Sequence, residues 1–174
     1  VGEISASRIF SKDLGEGDFS WNGRVLGPRN GYLTFSNVRG RISGSLTRIG
    51  EPSYRFTGST AGLNFEKVKV GGQCGGCIVD NSLPPDPRYN AVPAKSWRNG
   101  EAHLIDLLIV YPAAVRSEAG STADVEAAIA SAVADSNLCY RKSLVPIQLR
   151  VVHMAEVSYT PTGTLNIDLE RLKG

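Results

Sequence analysis

The chain has 174 residues, of which 41% are hydrophobic and 21% are charged, and its formal net charge is +2. This length suits one domain or two small ones with a real core. A near-balanced charge without a lysine or arginine block gives no support for nucleic-acid or membrane-surface binding, so neither partner is predicted. The longest apolar run, residues 107–115, is interrupted by Pro112 and is too short to span a bilayer.

Residues 1–70 predict a β-rich domain with antiparallel strands. Short runs alternate between apolar and polar residues, as a strand with one buried face requires. Such runs cover residues 18–26, 32–38, 41–49, 53–57 and 63–70. Turn-forming residues separate them. The short spacing indicates a meander, a small sandwich or an open barrel.

Residues 71–102 predict a linker. Glycines crowd its first part, and Pro84, Pro85, Pro87 and Pro93 forbid a regular helix and favour extended chain. Such a stretch lies along another surface more readily than it forms a core. It also carries two of the three cysteines of the chain, as Cys74-Gly-Gly-Cys77.

Residues 103–174 predict a β-α-β unit followed by the start of a further helix at 164–173. Leu104–Tyr111 is nearly continuously apolar, which is typical of a strand buried on both faces. Ser121 or Thr122 can cap a helix, and Asp124, three residues after Ser121, makes a capping-box-like pair with it. A second apolar strand, Ile147–Val152, then implies a parallel crossover. The predicted fold class is therefore mixed α+β: an antiparallel β-rich region, a linker and a β-α-β unit.

The last of these regions resembles the opening of the catalytic domain of secreted reprolysin-like metzincin zinc proteases. The resemblance covers roughly residues 103–174. The matching stretches are Ile105–Tyr111, Val125–Ile129, Asn137 before Tyr140, Leu149–His153 and Glu156–Tyr159. The resemblance implies that residues 103–174 begin a metzincin-like α/β catalytic domain, and that residues 1–70 are its propeptide.

Members of this family carry a later motif, His-Glu-x-x-His-x-x-Gly-x-x-His, in which three histidines bind zinc and the glutamate is the general base. That motif is absent here, and His103 and His153 are too few and too far apart in sequence to replace it. The resemblance therefore implies a chain that is inactive alone. Its expected partners are a C-terminal catalytic segment carrying the motif and the zinc, and protein or peptide substrates, outside the cell.

Cysteine gives this resemblance a further consequence. Many metzincin propeptides keep the enzyme latent because a thiolate fills the zinc position that the catalytic water would take. Cys74 or Cys77, between the β-rich region and the protease-like region, is the corresponding candidate zinc ligand. Two other interpretations stay open: a disulfide between Cys74 and Cys77, or half of a four-cysteine zinc knuckle.

Other polar or reactive residues have mainly structural interpretations. Cys139 is predicted to be a buried small residue or the partner of a cysteine beyond Gly174. Asp106 is predicted to be a satisfied carboxylate that is either buried or at a strand edge, and His153 a core or surface histidine. Asp168 and Glu170 are predicted to lie on a solvated helix face.

Three functions follow from these patterns. The first is a proenzyme fragment of a secreted zinc endopeptidase, with a propeptide that keeps the protease latent. The second is a stand-alone protease-inhibitory or chaperone-like binding module without catalysis. The third is a structural secreted β-domain with an incidental β-α-β tail.

Overall fold

A computed structural model describes residues 3–27, 30–48, 51–68 and 102–172. It is mixed α+β, as the sequence predicts, with a six-stranded antiparallel sheet and a parallel β-α-β unit. The first sheet is formed by β1 (Ala6–Gly15), β2 (Asp18–Val25), β3 (Gly31–Val38), β4 (Arg41–Arg48), β5 (Tyr54–Ser59) and β6 (Gly62–Lys67). The second part comprises β7 (His103–Pro112), α1 (Ala113–Ala119), α2 (Thr122–Lys142), β8 (Ile147–Val157) and α3 (Leu165–Leu172).

The six-stranded sheet is a meander in which each strand pairs with the next along the chain. Short connections keep consecutive strands adjacent. Between β3 and β4, Arg39 and Gly40 form a two-residue turn in which both residues have positive φ, 48° and 77°. Turns of this kind match the twist of the strands they join. The strand β1 was not predicted, because this edge strand leaves Ile9 and Leu14 exposed and lacks a clear alternation.

One face of this sheet, which we call the aromatic face, carries its large apolar side chains. Trp21 and Phe35 stack with ring centroids 5.4 Å apart, and Phe56 and Phe65 with centroids 5.3 Å apart. Glycines make room for these rings, since Gly23 lies against the Trp21 ring and Gly44 against the Phe56 ring. The aromatic pairs join neighbouring strands, so the sheet is stabilised across its width.

The opposite face, which we call the inner face, is polar. The register places Asn22, Thr34 and Ser45 in one row across it, and Ser20, Ser36 and Ser43 in the next. Apart from Ser45, which is partly exposed, these side chains are buried, Thr34 at 1% exposure and Ser36 at 0%. They are buried because α2 lies over this face, where it contacts β2, β3 and β4. The sheet thus presents mainly small polar side chains to the middle of the helix, and its stacked aromatic pairs lie on the other face.

The β-α-β unit is built on a parallel β7–β8 pair with one register shift, between Leu107 and Leu108. The helix α2 begins as predicted, because the Ser121 hydroxyl accepts a hydrogen bond from the Asp124 backbone N–H. The short α1 was not predicted; it starts directly after Pro112 and ends at Gly120, whose φ is 105°.

The prediction that Leu104–Tyr111 is buried on both faces is wrong for the part of the chain that the structure describes. The strand β7 buries Tyr111, but Leu104, Leu108 and Val110 on one face are exposed, Leu108 at 67%, and Ile105 on the other face is exposed at 42%. The reason is that α2 and α1 contact this unit on one side, and the described residues supply no layer for the other. A parallel sheet is normally covered on both faces.

The packing of aromatic rings on glycines yields a stability prediction. A Cβ atom at Gly44 would overlap both the Phe56 ring and the carbonyl oxygen of Thr34. We therefore expect Gly44→Ala to lower the free energy of unfolding by about 1–3 kcal/mol, as overpacking does. Urea denaturation measures this. The matched control is Gly62→Ala, where a Cβ meets open space; equal losses in both variants would contradict the packing account.

Candidate functional site

The predicted metal ligands, Cys74 and Cys77, lie outside the described residues, as does the rest of the linker from 71 to 101. Elsewhere, among the residues that the structure describes, no group of three or more His, Cys, Asp or Glu side chains is placed to hold a metal ion. His103 and His153 do not come together. His153 pairs with Leu108, five residues along β7 from His103, which is roughly 16 Å at a strand's rise per residue.

Two structural predictions can be compared with their outcomes. Cys139 was expected to be buried or to pair with a cysteine beyond Gly174; its side chain is exposed on α2, so burial is wrong, and no cysteine of the described residues pairs with it. Asp106 is satisfied, as expected, although it is exposed and not buried. Arg150 donates two hydrogen bonds to it across the β7–β8 pair, at 2.7 and 2.8 Å. These bonds lower the pKa of Asp106, so its role is that of a cross-strand ion pair.

The interface between the inner face and α2 is the most organised polar region in the described structure. At the start of the helix, two arginines from the β3–β4 turn contact acidic side chains. Arg39 donates to Glu126, and Arg41 Nε donates to Asp124 at 2.5 Å. The carboxylates lie near the positive end of the helix dipole, where they are favourable, and each also meets a cation from the sheet.

At the other end of α2 the charges are reversed. Arg141 lies over the Phe10 ring at 4.4 Å, and the Lys142 ammonium lies over the Tyr32 ring at 3.5 Å. Both cations suit the negative end of the helix dipole, and both rings belong to the inner face. The helix is thus docked in one direction, with its acidic start on arginines and its basic end on aromatic rings.

Between these ends the interface consists of small polar groups. Ser45 donates to Asp135 at 2.7 Å, and Thr34 donates to Asn22 at 2.9 Å within the inner face. Ala127 and Ser131 lie on the same helix stripe as Asp124 and Asp135 and are buried. Ser36 Oγ is buried here and has no hydrogen-bond partner among the residues that the structure describes. The contact is therefore close, and beside these polar groups it buries only small or medium-sized apolar side chains, among them Val38, Ala134 and Leu138.

A cleft of about 410 Å³ opens where the interface is incomplete, between β1, β2, α2 and β8. Ile129, Val133 and Met154 supply apolar surface, while Lys12 and Asp18 supply opposite charges. At this cleft, β1 and β2 therefore do not pack directly against α2.

The other side of α2 holds the β-α-β unit together. The Asn137 amide donates to the Leu149 carbonyl oxygen at 3.0 Å and accepts from the Leu149 N–H at 2.7 Å. It therefore satisfies both backbone groups of this β8 residue as a neighbouring strand would. Asn137 is one of the positions that carry the metzincin resemblance, and the structure gives it this structural role.

Asp168, predicted to lie on a solvated face, joins α3 to the segment before it. It accepts hydrogen bonds from the Tyr159 hydroxyl at 2.5 Å and from the Thr162 N–H at 3.0 Å. The Tyr159 bond is the main reason that the pKa of Asp168 is lowered, and the same bond raises the pKa of Tyr159.

The first prediction from this region concerns Asn137. Asn137→Ala leaves the N–H and C=O of Leu149 without this partner, so we expect the free energy of unfolding to fall by about 1–3 kcal/mol. Ser136→Ala is the control, because its hydroxyl only donates to Ala132 within the helix. Chemical denaturation compares the two, and a loss for Ser136→Ala as large as that for Asn137→Ala would contradict the assignment.

The second prediction concerns pH. A carboxyl whose pKa is lowered by folding stabilises the fold above its unfolded pKa, and this contribution disappears as pH falls through the folded value. Tyr159→Phe removes the main cause of that lowering, so the pKa of Asp168 should rise towards its ordinary value. Carboxyl-carbon NMR titration measures it. The pKa of Asp106, lowered by Arg150, should stay unchanged as an internal reference. An unaltered Asp168 titration would refute the assignment.

None of the helices in the described part of the chain is long and apolar enough to cross a membrane. Comparison of the chain with protein-family models, curated proteins and solved structures found no match. The geometry described above is therefore what supports a function.

Proposed function

We propose that this chain is the N-terminal part of the zymogen of a secreted zinc-dependent endopeptidase. In this proposal the six-stranded sheet is the propeptide, and the β-α-β unit begins the catalytic domain. A C-terminal catalytic segment carrying the His-Glu-x-x-His motif completes the sheet and holds the zinc. The substrates are proteins or peptides.

The observation that carries this proposal is the incomplete cover of the β7–β8 pair. Leu104, Leu108 and Val110 alternate on one face of β7 and are exposed, and Val152 of β8 is exposed as well. In the described residues, β7 pairs with β8 only and leaves its other edge unpaired. Parallel sheets normally have more strands and a layer on each face. An additional segment that pairs with β7 and covers these side chains satisfies both requirements.

Zinc enters this proposal through residues outside the described structure. When bound, the metal would polarise the substrate carbonyl and activate water. Cys74 or Cys77 would keep the enzyme latent by occupying its fourth coordination position. The described residues offer no zinc site of their own. Their role is to anchor the propeptide on α2, next to the part of the sheet that the catalytic segment completes.

Latency in the precursor tests the cysteine switch. The substitutions Cys74→Ala and Cys77→Ala are made singly in a precursor that includes the catalytic segment. We expect one of these two precursors to cleave a peptide substrate without prior processing. The thiolate can no longer exclude water from the zinc. Cys139→Ala is the control, since this thiol is exposed on α2 and should leave latency intact. Full latency of both linker variants, at unchanged zinc content, would remove the switch.

Mass spectrometry of the purified material separates this function from its alternative. The zymogen proposal predicts that a polypeptide containing the His-Glu-x-x-His motif either continues the chain or co-purifies with it. A stand-alone inhibitory or chaperone-like module predicts a complete protease encoded separately. Recovery of neither would contradict both.

A further inference from the structure

The six-stranded sheet is joined to α2 largely by charged and polar side chains. We propose that the six-stranded sheet is a self-supporting module that detaches from α2 without unfolding, and that ion pairs at the start of the helix and cation–π contacts at its end hold it in place. This inference concerns how the sheet is attached and goes beyond the zymogen proposal. It needs neither zinc nor protease activity.

The main apolar contacts that stabilise the six-stranded sheet do not involve α2. The aromatic pairs of the sheet lie on the face away from α2, with Val25, Leu46 and Phe56 buried among the same set of strands. A sheet of three or more strands with an apolar face can be stable by itself. All six strands pair antiparallel with their sequence neighbours, so none needs a strand from the β-α-β unit. Removing α2 therefore leaves this cluster intact.

Separating the sheet from α2 exposes the polar side chains of the inner face to water. The rows Asn22–Thr34–Ser45 and Ser20–Ser36–Ser43 face the helix, and water can hydrogen-bond every one of these side chains. In the closed state Ser36 Oγ has no partner within the described part of the chain, so it gains a hydrogen bond to water when the interface opens. Contacts between separable units are typically more polar than a domain core, and this contact fits that description.

Charged side chains contact the sheet at both ends of α2. The Arg39–Glu126 and Arg41–Asp124 pairs lie at one end, and Arg141 and Lys142 lie on aromatic rings at the other. The arginine side chains are partly exposed, 51% for Arg39 and 41% for Arg41, so salt can screen these pairs. Such charges contribute orientation and salt dependence to an interface. The sheet should therefore bind α2 less tightly as ionic strength rises.

The experiment cuts the complete chain. A protease recognition sequence inserted after residue 70 allows the folded chain to be cleaved between the two parts, and sedimentation then measures their association. We expect the pieces to stay together at about 0.05 M NaCl and to separate at about 1 M, with Kd rising by roughly tenfold or more as the charges are screened. A mainly apolar interface would instead tighten as salt rises.

Fluorescence reports whether the released sheet stays folded. Trp97→Phe leaves Trp21 as the sole tryptophan of the chain, since the sequence has two. Trp21 stacks on Phe35 on the face away from α2. Its emission should therefore be unchanged when the pieces separate, and should shift only when denaturant unfolds the sheet.

Charge-exchange variants test the role of the pairs. Arg39→Glu and Glu126→Arg should each weaken association by about tenfold at low salt, and the double exchange should recover most of it, because it restores opposite charges. Lys67→Glu makes the same charge change at an exposed position on β6 and should have no effect. Ser36→Ala should tighten association by roughly fivefold, because it removes the unpartnered hydroxyl.

Three outcomes would overturn the inference: association that survives 1 M salt unweakened, pieces that are already separate at low salt, or a Trp21 signal that shows the sheet unfolding on release. None of them bears on zinc or latency. Conversely, linker-cysteine variants that remain latent would leave this inference standing, so the two proposals fail independently.

Discussion

The helix α2 is the element on which the rest of the structure depends, because it packs against two sheets with different chemistry. One side carries Asp124, Ala127, Ser131 and Asp135 and meets the polar inner face of the six-stranded sheet. The other side supplies Asn137, which binds the β8 backbone. Neither sheet contacts the other as extensively as each contacts this helix. Without α2, the described residues would form two separate sheets.

The two interfaces differ in what separating them would cost. Breaking the Asn137 contact leaves backbone groups of β8 without this partner, which is expensive in an interior. Opening the inner face releases hydroxyl and amide side chains that water can satisfy. The structure therefore combines a permanent contact and a releasable one on the same helix. In the proposed zymogen, this arrangement would let the propeptide bind during latency and leave afterwards.

Much of the fold could be predicted from local patterns. Strand alternation located β2 to β6, and the Ser121–Asp124 cap located the start of α2. The direction in which the sheet faces could not be predicted. Alternation distinguishes the two faces of a strand but does not say which face is covered. Thr34 and Ser36 are of residue types that usually lie at the surface, and they are buried only because a helix distant in sequence covers them. The contacts of Arg39 and Arg41 with α2 likewise depend on tertiary packing. The stripe of small residues on α2 and the polar face of the strands could have suggested that these two surfaces meet.

Photo-crosslinking tests the central claim, that the polar face and not the aromatic face lies on α2. Benzoylphenylalanine replaces Tyr32 on the inner face, next to Lys142, or Phe35 on the aromatic face. After irradiation, the Tyr32 position should label peptides from the end of α2, and the Phe35 position should not. Labelling of α2 from position 35 but not from 32 would show that the sheet faces the other way, and the account of a releasable polar interface would be wrong.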